Sequence, residues 1–264
     1  MDWGYIFSVM ISSAFGVEAI VFGLAAIGIN MQFGYTGLLN FGQSAFMAIG
    51  GYSIAVTVVQ LGVSFWWGIV IGFIASVLLA LLLGVPTLRL RADYLAIVTI
   101  AASEIVRLLV RSPWGRVLKG IREDEDAVRS LGKNVYLYKM QALIIGGMIG
   151  TVAGFVFAVG NEAVSPDFFG TDTTFFAYAI LILGGAARVF GPVLGTVIFW
   201  AIIQGTDVFL RSGIDAGLPV ISLMSGSQAA VIRFILVGLM IMLLMIFRPQ
   251  GILGDRKELA LDAR

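Results

Sequence analysis

The sequence predicts an all-α, polytopic membrane protein with about eight membrane segments, and three observations carry that prediction. Only 12% of its 264 residues are charged and 59% are hydrophobic, where a soluble domain carries about 25% charged residues. A chain with so little polar surface takes lipid as its solvent. The apolar residues gather into runs of membrane-crossing length, and the lysines and arginines fall into a few clusters between them.

In chain order the runs cover residues 4–28, 37–61, 66–88, 94–110, 140–159, 175–187, 189–210 and 228–247. The first follows Met1, Asp2 and Trp3 without the basic stretch of a secretory signal, and it is too long for the apolar part of one. The second is interrupted at Asn40, Phe41 and Gly42. The sixth is short and passes through Gly184 and Gly185 into the seventh, as a broken or tilted helix does. The 33 glycines suit a bundle whose helices approach closely. Residues 1–264 read as one transmembrane domain, with a charged segment at 112–139 and a charged tail at 248–264.

No Lys or Arg occurs before Arg89, and none between residues 141 and 187. The basic clusters are Arg89 with Arg91, residues 111–139, Arg188 and the tail. By the positive-inside rule these are cytoplasmic, which places the N-terminus outside and the C-terminus inside. One conflict follows. Arg91 and Ser112 both belong inside, yet a single run, 94–110, joins them. Either that run re-enters the membrane or a crossing is missing from the chain near residues 108–111, and the second reading is the one favoured.

Composition also excludes chemistry. The chain has no histidine and no cysteine, which removes zinc sites, disulfides and imidazole acid–base catalysis. No carboxylate pair sits at helical spacing on an apolar run, so no catalytic residue and no metal site is expected. A net charge of +1 gives no footprint for nucleic acid. No phosphate-binding loop of the G-x-x-x-x-G-K-[ST] type is present, so ATP is not bound by that route.

Two Gly-rich breaks point to a transport path. Residues 30–52, NMQFGYTGLLNFGQSAFMAIGGY, mix Asn30, Gln32, Thr36, Asn40, Gln43 and Ser44 with glycines at membrane depth. Backbone leaves helical form there only where protein or a watery cavity covers it, and interrupted helices are where transporters bind solute. Asn40, Gln43 and Ser44 are the candidate path residues; close helix packing is the plainer explanation. Residues 183–196, LGGAARVFGPVLGT, form a second break that weakly echoes the first. Glu18, an acid inside an apolar run, is a further candidate, because such residues are costly in lipid.

Residues 112–139, SPWGRVLKGIREDEDAVRSLGKNVYLYK, are a charged island. Ser112 and Pro113 suit a helix start. Val117, Leu118, Ile121, Val128 and Leu131 recur at helical steps, interrupted by the acidic run Glu123, Asp124, Glu125 and Asp126, and Gly132 suits a helix end. The acidic run disfavours anionic lipid and favours a basic protein partner.

Five stretches resemble the LivM-type permease of branched-chain amino acid ABC transporters, in that family's order: GYTGLLNFGQSAFMAIGGY (34–52), LRLRADYLAIVTIAASEIVRL (88–108), SPWGRVLKGIREDEDAVRSLG (112–132), GGAARVFGPVLGT (184–196) and FRPQGILG (247–254). The resemblance implies a bacterial inner- or plasma-membrane importer subunit, surrounded by lipid. Its partners would be a LivH-like second permease, two cytoplasmic LivG/LivF-like ATPases that hold ATP and Mg, and an extracytoplasmic solute-binding protein. It also implies that the ATPase contacts fall on Arg116, Lys119, Arg122, Glu123, Asp124, Glu125, Asp126 and Arg129. Permeases of this family carry a Gly-rich external stretch and one more span between the EIVRL and SPWGR motifs, which this chain lacks. A urea- or amide-type permease of the same superfamily, and an ion-coupled carrier or channel using Glu18, are the alternatives.

Overall fold

A computed structural model describes residues 3–87, 113–217, 226–248 and 250–254. The predicted run at 94–110, Ser112 and the tail beyond residue 254 lie outside the described residues. Every regular element among the described residues is a helix.

The run predicted at 4–28 is two helices, α1 (Trp3–Ala14) and α2 (Val17–Ile29). They part at Gly16, whose extended backbone (φ −71°, ψ 172°) caps α2. The 12 residues of α1 rise about 18 Å, short of a hydrocarbon core about 30 Å thick. The five-residue π-turn Asn30–Gly34 lengthens α2, and together they are long and apolar enough to cross a membrane. Residues 37–42 are non-helical, a break that includes the interruption predicted at 40–42 and begins three residues before it, and α3 (Gln43–Ala55) follows, ending in a second π-turn, Val56–Gln60. Next comes α4 (Phe65–Thr87).

The charged island forms two short helices, α5 (Pro113–Glu123) and α6 (Glu125–Ser130). Asp124 divides them: its backbone is extended, and its carboxylate accepts from the Ala127 N–H at 2.9 Å, capping α6. Gly132, at φ +75°, follows the end of α6, as expected. The run predicted at 140–159 begins earlier, because the Asn134 side chain caps α7 (Val135–Asn161). A 3₁₀ turn (Pro166–Phe169) leads to α8 (Thr171–Gly184), α9 (Gly191–Asp215) and α10 (Gly226–Phe247). Among the described residues four helical stretches meet the requirements of length and hydropathy for crossing a membrane, against eight predicted runs; α1 and α8 are shorter apolar helices.

The core forms around α2, which is buried from Val21 to Ile29 and packed against α7, α8 and α9. α3 lies on α7, α4 covers both, and α1 lies along α9. Ile71, Ile74, Leu78 and Leu82 of α4 stay exposed, as a lipid-facing stripe does. α5 and α6 pack under one end of the bundle, where Leu118, Ile121 and Val128 meet Leu38, Val135 and Ala142. Leu131 departs from the predicted apolar stripe: it is 78% exposed, because Gly132 turns the chain away immediately after it.

Candidate functional site

The chain leaves α2 at Gly37 (φ +63°), tucks Leu38 beneath the bundle among the island's apolar side chains, and climbs back to begin α3 inside it. Gln43 stands beside Gly146, about 17 Å along α7 from Val135. Three predicted path residues meet here, all buried. The Asn40 N–H donates to Tyr178 Oη at 2.7 Å, and the Ser44 N–H donates to Thr174 Oγ1 at 3.0 Å, tying the break to α8. The Asn40 carboxamide accepts from the Gly42 N–H and donates to Gln43 Oε1 at 3.5 Å, while Gln43 Nε2 reaches the Gly146 carbonyl at 3.5 Å.

Gly42, the N-cap of α3, offers no side chain, and Thr174 Oγ1 takes the Ser44 N–H of the first turn. The positive dipole end of α3 lies within the bundle, an environment that favours a carboxylate. Beside it is an aromatic wall: Phe41 lies 5.6 Å from Phe175 and 5.5 Å from Tyr178, centroid to centroid. Phe41 and Phe175 are about half exposed, at 51% and 52%, so the wall opens at the surface of the chain. The arrangement can seat an apolar side chain beside a helix dipole but encloses it on one side only. Tyr178→Phe strands the buried Asn40 N–H, an expected loss of about 1–3 kcal/mol that a thermal melt in detergent checks.

Glu18 is not part of this group. It sits in the first turn of α2, about 27 Å along the helix from Thr36. It is exposed and borders a cavity of about 400 Å³ that Asp167, Asp172 and Trp200 also line. No group of three potential metal ligands occurs among the described residues.

The island residues divide by direction. Arg116, Glu123, Asp124, Asp126 and Arg129 are exposed. The others point inward. Arg122 donates to the Gly34 carbonyl at 2.8 Å, Lys119 Nζ stands 6.0 Å from the Tyr35 ring centroid, and Glu125 binds the buried Lys139 ammonium at 2.7 Å. Thr174, Tyr178 and Lys139 were not marked as functional from the sequence, and Asn30 was named only among the polar residues of the first break. Asn30 joins the two Gly-rich breaks: its Oδ1 accepts from the Ala187 N–H and its Nδ2 donates to the Arg188 carbonyl, both at 2.7 Å. The signal for it was present, a polar residue opening the first break, but its partners lie more than 150 positions along the chain.

The family model described as "Branched-chain amino acid transport system / permease component" matches residues 11–110 and 105–246. The two matched stretches overlap at residues 105–110. The high-affinity branched-chain amino acid transport permease LivM of Salmonella typhimurium is 27% identical, covering 89% of this chain and 68% of its own length; its Escherichia coli counterpart is 26% identical with the same coverage. A probable LivM protein of Methanocaldococcus jannaschii is 22% identical over 94% of this chain and 93% of its own. These alignments run to 308 and 332 positions against a chain of 264 residues, so the relatives carry residues this chain lacks. No solved structure matches the chain. With most of its length matched, and an all-helical bundle of apolar spans beneath the match, the chain belongs to the family of permease components of branched-chain amino acid transport systems.

Proposed function

We propose that the chain is one permease subunit of an ATP-driven importer for branched-chain amino acids, passing solute along its interface with a second, LivH-like permease. The observation that carries this reading is the half-open aromatic break: Phe41, Phe175 and Tyr178 border Asn40 at the chain's surface, where a second subunit would complete the wall. An apolar wall suits Leu, Ile and Val side chains, and the positive dipole end of α3 suits their carboxylate. The island end faces the cytoplasm and the N-terminus lies outside, in accord with the clustering of Lys and Arg. ATP and Mg belong to two LivG/LivF-like ATPases docked on the exposed side of α5 and α6, and an extracytoplasmic binding protein delivers the solute.

Uptake of labelled leucine into vesicles tests the reading. Accumulation is expected only when both permeases, the ATPases and ATP are present; accumulation by this chain alone without ATP rejects it. Glu18→Gln is expected to leave ATP-driven uptake unchanged, which separates the importer from an ion-coupled carrier. For docking, the informative charge reversals are Glu123→Lys and Asp126→Lys, because Asp124 caps α6 and Glu125 holds Lys139. The double variant is expected to weaken ATPase co-purification by about tenfold or more, about 1.4 kcal/mol for each tenfold; undiminished co-purification counts against docking on this face.

A further inference from the structure

The π-turn Asn30–Gly34 is a junction of several segments. Arg122 of α5 donates to its last carbonyl at 2.8 Å. Asn30, at its start, accepts from the Ala187 N–H and donates to the Arg188 carbonyl, both at 2.7 Å. That second break is held in turn by the chain after α10: the Ile252 and Leu253 N–H groups donate to the Leu183 and Gly184 carbonyls at 3.0 Å. The junction has no slack. A Cβ at Gly34 would overlap Asn30 Oδ1 and lie 2.5 Å from the Ala187 nitrogen.

A π-turn carries one residue more than the α-helix around it. Its conversion to α turns the chain on one side by about 100° relative to the other, so it is a discrete two-state element rather than a spring. This one also carries an unmet demand. Gln32 is fully buried, and among the described residues neither its Nε2 nor its Oε1 has a hydrogen-bond partner. Such groups are costly, so an alternative conformation that gives the amide a partner gains what this one forgoes. Immediately beyond the turn come Leu38, seated on Leu118, Ile121 and Val128, and then Asn40 at the aromatic wall.

We propose that Arg122 is a positioning residue that couples the α5–α6 segment to this π-turn. Displacement of α5 by a docked ATPase pulls on the Gly34 carbonyl and on Leu38, switches the turn, and through Asn30 moves the second break in the same step. The proposal rests on the importer reading above and adds to it the side chain that transmits the motion. Arg122 touches neither solute nor ATP; it acts through Gly34.

The test uses the complete complex of both permeases, ATPases and binding protein in proteoliposomes, with leucine as solute. Arg122→Gln, whose amide is too short to reach the Gly34 carbonyl, is expected to lower the ratio of solute-stimulated to unstimulated ATP hydrolysis about tenfold while the ATPases still co-purify, and Arg122→Lys, which keeps a charged donor of nearly the same reach, to restore most of the ratio. In the wild-type complex, amide hydrogen exchange across residues 30–38 should change when ATP binds. A wild-type ratio in Arg122→Gln, or no recovery in Arg122→Lys, overturns the proposal. Should Arg122→Gln fail to assemble, unchanged exchange across residues 30–38 in the wild-type complex overturns it alone. A wild-type complex with no solute-stimulated hydrolysis sinks the importer reading together with the proposal, whereas stimulation that survives Arg122→Gln sinks the proposal only.

Discussion

Glu125→Ala is expected to destabilise the protein by about 3–5 kcal/mol, the usual consequence of stranding one member of a buried ion pair. Lys139 emerges from the first turns of α7 with only 5% of its side chain exposed, and its ammonium lies 2.7 Å from Glu125 Oε2. Without Glu125 that ammonium loses its carboxylate partner while staying buried. The second arm of Glu125, to Arg129 at 2.8 Å, matters far less: Arg129 is 60% exposed, and a solvated pair of this kind contributes about 0–1 kcal/mol. The value expected is nearer the lower figure, because Glu125 itself is 24% exposed. Glu125→Leu combined with Lys139→Met should recover most of the loss, since apolar side chains of similar size replace a buried pair at little cost. Melting curves in detergent for both singles and the double provide the check. A double variant no more stable than Glu125→Ala means that the pair is not what holds α6 to α7.

The contrast between Glu125 and Glu123 shows what the sequence could and could not convey. Both lie in one acidic run and read together as a surface for a basic partner. Only the three-dimensional path of the chain, which folds α6 back against the start of α7, gives one of them a buried partner 14 positions away. The break at 37–42 was legible because polar residues and glycines at membrane depth violate hydropathy locally. Its ties to Thr174 and Tyr178, 130 and 138 positions distant, were not, because periodicity carries no information about which helix lies opposite. The split between α1 and α2 escaped for a different reason: Gly16 changes the backbone angle without changing the hydropathy of the run. The expectation of a missing crossing near residues 108–111 needed only a count of charges; those residues lie outside the described ones.

Gly154→Val is expected to prevent the native packing of α3 on α7. A Cβ at Gly154 would overlap the Met47 carbonyl oxygen and lie 2.7 Å from the Gly51 nitrogen. From the other side, a Cβ at Gly50 would overlap the Thr151 carbonyl oxygen and lie 3.2 Å from the Gly154 Cα. The two helices therefore touch backbone to backbone, the close approach that small residues permit in lipid. Overpacking against side chains costs about 1–3 kcal/mol; here the obstructing atoms are backbone and cannot rotate away, so the helices must separate. Separation also moves Gln43 from the Gly146 carbonyl and shifts the start of α3 away from the aromatic wall, so uptake should fall with stability. Gly238 in α10 is the control. A Cβ there meets nothing within 4 Å, and alanine is the better helix former by about 1 kcal/mol, so Gly238→Ala should leave the melting temperature unchanged or raise it. Size-exclusion profiles and melting curves of the two variants, expressed side by side, decide the matter: a monodisperse Gly154→Val protein with wild-type stability would mean that α3 and α7 do not meet at this contact.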